Sequence, residues 1–194
     1  MMSATEALQR LKDGNRRYLN GVSHLKPADG HPSGLEKGQA PFAVVLACAD
    51  SRVPVEMIFD QGPGDLFVTR VAGNIAAPSQ LGSIEFAATQ LGSKLVVVLG
   101  HSNCGAVDAT LKTLTTGQDG LSPNLLAIID RIRPAVDSLK DPSLHEAVAA
   151  NVRCAAEQLR HGSGVLEQLI DSGDLTVVGA EYSIENGEVE FFDD

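Results

Sequence analysis

Residues 42–52 read FAVVLACADSR and residues 95–105 read LVVVLGHSNCG, so two apolar runs each lead into residues that can bind a metal. Two further runs, residues 66–72 and 175–180, are also apolar and rich in β-branched side chains. Runs that are apolar on both faces are typical of strands buried in a parallel sheet. Helical segments are expected between them, which predicts an α/β domain with crossover connections.

Capping residues and apolar spacing predict the helices and the last turn. Ser3 and Glu6 have capping-box spacing, which predicts a helix over about residues 4–19. Shorter helices are expected at residues 54–59, 81–91 and 104–116, and two longer ones around residues 123–139 and 144–159, the first with Ser122 as its N-cap. The Asn186-Gly187 pair predicts the turn of a terminal hairpin between residues 182–185 and 189–192.

The predicted architecture is α/β, with a mostly parallel central sheet flanked by helices, an N-terminal helical arm and a C-terminal β-hairpin. Residues 1–40 form the helical arm and a loop that contains Gly, Pro and Ser, and residues 41–194 form a single α/β domain. Because the loop tethers the arm helix loosely, the helix is expected to lie against another surface.

Composition narrows the choice of partners and compartment. The 194 residues include 15 basic and 25 acidic side chains, a net charge of −10, which disfavours nucleic acids and anionic membranes because both are polyanions. The longest wholly apolar stretch, residues 42–49, is too short to span a membrane. Three cysteines are an odd number in a chain too long for a disulfide scaffold, so we expect a reducing, cytoplasmic location. No segment completes a nucleotide-binding glycine motif.

Three potential metal ligands, Cys48, His101 and Cys104, lie at the carboxyl ends of predicted strands. Functional groups collect at that edge of an open parallel sheet, so these ligands converge if the two strands are neighbours. Zinc prefers thiolate and imidazole ligands, and three protein ligands leave a fourth position for water. No fourth Cys or His lies near these strand ends, which argues against a closed structural site. Cys154 lies in a helical repeat and is interpreted as a small buried hydrophobic residue.

Asp50 and Arg52 alternate along the chain directly after Cys48. Asp50 is expected to accept a hydrogen bond from the solvent ligand of the metal or to coordinate the metal itself. Arg52 is expected to hold that carboxylate ionised through a bidentate pair. The alternative is an ordinary surface ion pair, but the position beside a metal ligand favours the functional role. The other four histidines are expected to face solvent, with a minor proton-relay role left open for His24 and His31.

Two motifs of the chain match a known family. Residues 48–52, CADSR, and residues 101–104, HSNC, match the Cys-x-Asp-x-Arg and His-x-x-Cys motifs of β-class carbonic anhydrases. The chain resembles this family from the arm helix to the terminal hairpin, including residues 65–70 and 83–87. The resemblance implies reversible hydration of carbon dioxide to bicarbonate and a proton. It also implies a zinc ion bound by Cys48, His101 and Cys104, with Asp50 and Arg52 as the catalytic dyad.

The resemblance further implies an obligate homodimer, often a dimer of dimers (a homotetramer), with the active site at the subunit interface. The N-terminal helices of such proteins wrap the partner subunit. The implied substrate pocket for carbon dioxide and bicarbonate is lined by Phe67, Val71 and Phe86, with Gln39 contributed by the partner.

Two subtypes of the family differ in whether the aspartate closes the zinc. Arg70 and Tyr182 resemble the closing subtype, which binds a regulatory bicarbonate, but Val45 stands where that pocket uses a Trp. Ala47 likewise replaces the Gly that the closing subtype usually has before its first Cys. Gln39, nine residues before Cys48, matches the open subtype, to which we assign the chain.

Two other functions stay open on the sequence. Similar proteins hydrolyse carbonyl sulfide or carbon disulfide with the same ligand set, and the width of the pocket rather than the motifs decides between the substrates. A non-catalytic, zinc-stabilised binding module is the other alternative. It would require the loss of Asp50 or Arg52, or a permanently filled fourth zinc position, and both residues are present.

Overall fold

A computed structural model describes residues 2–24 and 34–192 of the protein. The described helices are α1 (Ala4–Leu19), α2 (Val55–Ile58), α3 (Pro78–Gln90), α4 (Gly105–Thr116), α5 (Pro123–Val136), α6 (Leu144–His161) and α7 (Gly164–Asp171). The strands are β1 (Ala43–Ala47), β2 (Leu66–Arg70), β3 (Leu95–His101), β4 (Thr176–Tyr182) and β5 (Val189–Phe191). Within the described ranges, no helix has the combination of length and apolar character that crossing a bilayer requires.

The strands form one sheet in the order β2-β1-β3-β4-β5. Strand β1 pairs in parallel with β2 and β3, β3 pairs in parallel with β4, and β5 is antiparallel to β4. Every residue of β1 and β3 is buried, as expected for central parallel strands with both faces covered. The mostly parallel sheet, its flanking helices and the C-terminal hairpin are therefore confirmed.

Side-chain caps at Ser3 and Ser122 begin α1 and α5 where the sequence predicts them. The Glu6 backbone N–H donates to Ser3 Oγ (3.2 Å), and the Ser3 N–H donates to Glu6 Oε2 (2.9 Å), so the predicted capping box is confirmed. Helix α7 was not predicted, although Ser163 caps it by accepting the Leu166 N–H. The predicted helix at residues 81–91 starts earlier, because Pro78 occupies its first turn.

The predicted two-residue Asn186-Gly187 turn is wrong. Tyr182 is opposite Val189, and the Ser183 N–H donates to the Glu188 carbonyl (2.8 Å), so residues 184–187 form a four-residue loop. Contacts outside the hairpin explain the difference, because the Ile184 N–H donates to Ser102 Oγ (2.9 Å) on the segment that follows β3. The hairpin loop therefore lies against that segment.

Helix α1 packs on the sheet of its own chain. Leu11 is fully buried, and Gly14 lies so close to Phe59 that an added Cβ would be 1.8 Å from the Phe59 carbonyl oxygen. The Asn15 amide donates to the Gly187 carbonyl (3.0 Å), and its oxygen accepts the Val189 N–H (3.0 Å). Helix α1 therefore lies against a surface, as expected, and that surface belongs to its own chain. Residues 25–33 of the loop that tethers it lie outside the described residues, and contact of α1 with a partner subunit stays a prediction.

Candidate metal centre

The fold brings the three predicted metal ligands together at one edge of the sheet. Cys48 follows β1 directly, His101 is the last residue of β3, and Cys104 is the N-cap of α4. Their ligand atoms lie within 4.8 Å of one another. Asn103 turns the chain between strand and helix with φ of +56°, in the left-handed region that Asn tolerates better than most residues.

The hydrogen bonding of His101 fits a metal ligand. Its Nδ1 lies 2.9 Å from the Ser102 carbonyl oxygen, to which it donates, so Nε2 carries the free lone pair. Nε2 is buried and has no hydrogen-bond partner among the described residues. A buried imidazole nitrogen left unpaired beside two cysteines is the arrangement of a metal ligand, and this set of N and S donors suits zinc.

The two cysteines favour one negative charge and resist a second. Hydrogen bonds from the Cys104 thiol and from the Gly73 N–H (3.3 Å from Sγ) lower the pKa of Cys48. The resulting interaction with Cys48, together with burial, raises the pKa of Cys104. Because two adjacent buried thiolates repel each other, both are formed when a divalent cation compensates their charge.

Asp50 is held as an ionised carboxylate beside the ligands. Arg52 donates from Nε to Oδ1 (2.9 Å) and from Nη2 to Oδ2 (2.8 Å), and its backbone N–H also donates to Oδ1 (3.0 Å). These bonds lower the pKa of Asp50, the bond from the Arg52 side chain contributing most. Oδ2 lies 3.9 Å from His101 Nε2, so the carboxylate borders the ligand cluster.

Comparison with known proteins identifies the family of this fold and site. The sequence profile described as carbonic anhydrase matches residues 43–189. The chain belongs to the carbonic anhydrase family. It is 38% identical over 195 residues to carbonic anhydrase 2 of Mycobacterium tuberculosis, an alignment that covers 93% of this chain and 89% of the relative.

Solved structures place the chain in the β class of carbonic anhydrases, which are zinc enzymes. The structure of the β-carbonic anhydrase CcaA superposes with a TM-score of 0.74 at 30% identity, covering 96% of this chain and 87% of that one. A tetrameric β-carbonic anhydrase from Sordaria macrospora superposes with a TM-score of 0.71 at 26% identity, covering 82% of this chain and 84% of that one.

In this carbonic anhydrase, Arg70 holds the main chain between Cys48 and Asp50. Its Nε donates to the Cys48 carbonyl (2.9 Å), and its Nη2 donates to the Asp50 carbonyl (2.6 Å). The resemblance relates Arg70 and Tyr182 to a regulatory bicarbonate pocket, which stays a prediction. In the structure Arg70 supports the loop that carries the first ligand, and the Tyr182 hydroxyl lies 3.4 Å from that of Tyr18.

The four residues predicted to line the substrate pocket lie in different surroundings. Val71 packs against the cluster that contains the ligand cysteines. Phe67 packs on the sheet face formed by residues of β1 and β3, and its ring centroid lies 6.4 Å from that of Phe86. Phe86 is 47% exposed, and Gln39 is also exposed. Within one chain, Val71 therefore lies beside the ligands, whereas Phe67 and Phe86 form an aromatic pair at the β2 edge of the sheet.

Several contributors to the site were missed from the sequence. Gly73 supplies the N–H at Cys48, and Asn151 on α6 fixes it by donating to the Gly73 carbonyl (2.9 Å). The motif residues give no signal for these contacts, because both join segments distant in sequence. His145 is exposed, as predicted, with Nδ1 3.4 Å from Glu181 Oε1, and His31 lies outside the described residues.

Proposed function

We propose that Cys48, His101 and Cys104 hold the zinc ion with which this carbonic anhydrase hydrates carbon dioxide reversibly to bicarbonate and a proton. The observation that carries the proposal is the convergence of the three ligand atoms within 4.8 Å, with a buried His101 Nε2 that lacks a partner among the described residues. When bound, zinc supplies a Lewis acid that lowers the pKa of a coordinated water to about 7 in carbonic anhydrases.

Asp50 and Arg52 act as the catalytic dyad. An ionised Asp50 is a hydrogen-bond acceptor only. It can therefore orient the attacking water by accepting a hydrogen bond from one of the water's O–H groups. Arg52 keeps the carboxylate ionised and fixes its direction through two parallel N–H···O bonds. Because both carboxylate oxygens are engaged by Arg52, the geometry supports the open subtype, in which Asp50 does not close the zinc.

Carbon dioxide carries no charge, so an apolar surface beside the ligands is the appropriate receptor. We assign this role to Val71, which packs against the ligand cluster, and to the Phe67–Phe86 pair. Gln39 is proposed to reach the substrate from a partner subunit, where its amide can donate a hydrogen bond to a substrate oxygen.

A homodimer, or a dimer of dimers, is proposed as the working assembly. The exposed Phe86 and the edge position of β2 support it, since a second copy can cover an apolar edge that one chain leaves open. The relative from Sordaria macrospora is described as tetrameric. A cytoplasmic location is proposed because Cys48, Cys104 and Cys154 form no disulfide with one another, which suits a reducing compartment.

Carbonyl sulfide or carbon disulfide hydrolysis and a non-catalytic binding role are not favoured. The named relatives are carbonic anhydrases, and Asp50 and Arg52 are both in place at the ligands. A non-catalytic module has no use for a carboxylate that is held ionised beside the ligand residues.

Stopped-flow hydration of carbon dioxide by the zinc-loaded protein, followed with a pH indicator, tests the proposal. We expect catalysis well above the buffer rate, loss of both zinc and activity in Cys48→Ser, and retained zinc with most of the rate lost in Asp50→Asn. A fully active Asp50→Asn variant would overturn the dyad. If zinc-loaded protein releases sulfide from carbonyl sulfide but leaves carbon dioxide unreacted, the assignment of carbon dioxide as the substrate is wrong.

A further inference from the structure

The hairpin loop contacts the chain between the second and third metal ligands through one carboxylate. Glu185 Oε2 accepts a hydrogen bond from Ser102 Oγ (2.6 Å), and Glu185 Oε1 accepts one from Asn103 Nδ2 (2.6 Å). Ser102 and Asn103 are the two residues between His101 and Cys104. A single side chain from a distant part of the sequence therefore holds both residues of the intervening segment.

We propose that Glu185 is a positioning residue for the metal centre. Its carboxylate holds the His101–Cys104 segment in the shape that aims both ligands, and this role rests on the proposed zinc site. Glu185 itself belongs to neither the ligand set nor the dyad, so it acts through Ser102 and Asn103.

The route through Ser102 leads to the imidazole. The Ser102 carbonyl accepts the His101 Nδ1 proton (2.9 Å), which selects the tautomer that leaves Nε2 free for the metal. Ser102 is fixed at further points, because its N–H donates to the Tyr182 carbonyl (2.9 Å) and its Oγ accepts the Ile184 N–H (2.9 Å). With Oγ already accepting, its own proton is directed to Glu185.

The route through Asn103 leads to the third ligand and to the dyad. Asn103 has φ of +56°, a conformation that costs free energy for residues other than glycine unless surrounding contacts maintain it. The hydrogen bond from its side-chain amide to Glu185 is such a contact. The residue that follows Asn103 is the third ligand, Cys104. The Asn103 carbonyl also accepts a hydrogen bond from Arg52 Nη2 (3.5 Å), so a change in this peptide would be transmitted to the group that orients Asp50.

The four-residue hairpin loop explains why Glu185 can reach the metal segment. In the two-residue turn that the sequence predicted, position 185 would be the end of a strand. In the structure it lies on the loop, where Ser183 Oγ also donates to Glu185 Oε2 (3.1 Å). Glu185 is exposed, so its hydrogen bonds compete with water, and a moderate effect is expected from its loss.

The first test compares Glu185→Gln with Glu188→Gln. Both remove one negative charge from the same hairpin, but Glu188 takes no part in the contacts to Ser102 and Asn103. We expect Glu185→Gln to weaken zinc binding, measured by competition with a chelator, by about 3- to 10-fold, below the 10- to 100-fold of direct partners of a metal ligand. The kcat should fall by a similar factor with KM unchanged, because Glu185 does not contact substrate.

A spectroscopic readout separates positioning from general stability. With Co²⁺ in place of zinc, the thiolate-to-cobalt absorption reports the geometry at the two cysteines. We expect this absorption to change in Glu185→Gln and to stay as in the wild type in Glu188→Gln. If Glu185→Gln lowers only the melting temperature, while metal affinity, kcat and the cobalt spectrum match those of Glu188→Gln, the proposal is overturned.

An exchange of the two partners provides a rescue experiment. Asn103→Asp alone places two carboxylates 2.6 Å apart at the present geometry, and we expect it to weaken zinc binding at least as much as Glu185→Gln. The double variant Asn103→Asp/Glu185→Gln restores an amide–carboxylate hydrogen bond in the reverse direction, so zinc affinity should recover most of the loss. Additive losses in the double variant would contradict the proposal.

The wild-type measurements distinguish the two levels of inference. Wild-type protein that binds no zinc, or that leaves carbon dioxide unreacted when loaded, defeats the proposed function itself. Wild-type protein that does both, together with a Glu185→Gln variant indistinguishable from Glu188→Gln, defeats the positioning role alone.

Discussion

Gly73→Ala is expected to be among the most destabilising single-methyl additions in this protein. Gly73 has φ of +74°, and a Cβ there would lie 2.6 Å from Ile132 Cδ1 and 3.2 Å from Ala106 Cβ. A left-handed conformation costs a non-glycine residue roughly 1–2 kcal/mol. Overpacking of a well-filled core costs roughly 1–3 kcal/mol more. The expected loss in the free energy of unfolding is therefore about 2–5 kcal/mol, the sum of these two effects.

Two companion variants separate the two causes. Gly173 has φ of +76° and no heavy atom within 4 Å of the added Cβ among the described residues, so Gly173→Ala should show the backbone cost alone, about 1–2 kcal/mol. Ile132→Val deletes the Cδ1 atom that meets the new methyl. Combined with Gly73→Ala, it should cost about 1–2 kcal/mol less than the sum of the two single variants.

Urea unfolding at a fixed free zinc concentration measures the stability of the wild type, the three single variants and the double variant. The reasoning is refuted if Gly73→Ala is no less stable than Gly173→Ala, or if Ile132→Val gives no relief. A further consequence concerns the site, because Gly73 donates its N–H to Cys48 Sγ (3.3 Å). Zinc affinity should therefore fall in Gly73→Ala and stay unchanged in Gly173→Ala.

Three further predictions concern a buried carboxylate, the packing of α1 and the protonation of the metal ligands. Asp60→Asn should lower the free energy of unfolding at pH 7 by about 1–3 kcal/mol, because the buried carboxylate accepts hydrogen bonds from Ser23 and Arg17. These hydrogen bonds outweigh the effect of burial and lower the pKa of Asp60. The stabilisation that the ionised carboxylate provides is therefore present above the unfolded pKa of about 4. In urea unfolding, the difference in unfolding free energy between wild type and variant should narrow as the pH falls below that value. Gly14→Ala would place its Cβ 1.8 Å from the Phe59 carbonyl oxygen. The substitution should therefore displace α1 and make this helix susceptible to limited proteolysis. A helix that stays fully protected from the protease would contradict the packing described for α1. Zinc binds deprotonated ligands, so affinity measured by chelator competition should fall from pH 8 to pH 6, and a constant affinity would contradict a site of two thiolates and an imidazole.

The sequence predicts the parts of the fold that depend on local pattern. The apolar runs locate β1 to β4, and the Ser3–Glu6 spacing locates the start of α1, because burial and capping leave a direct periodic signal. The position of Cys48 and His101 at the ends of two such runs is sufficient to predict a metal site once the strands are neighbours.

Contacts between distant segments could not be predicted in the same way. Asn186-Gly187 is a favourable hairpin turn by itself, but hydrogen bonds to Ser102 favour a longer loop. The roles of Arg70 and Gly73 at Cys48 depend on the register of β2 against β1, which the local pattern does not specify. These supporting residues hold the ligands in place, whereas the ligands themselves are visible in the motifs.

The central claim concerns the atoms that bind the metal, and X-ray absorption at the zinc edge tests it most directly. For wild-type protein loaded with one zinc per chain, two sulfur ligands and one imidazole nitrogen are expected, with Cys48→Ser losing the metal or one of the two sulfurs. A wild-type zinc bound by fewer than two sulfurs, or a Cys48→Ser spectrum identical to that of the wild type, would contradict the account.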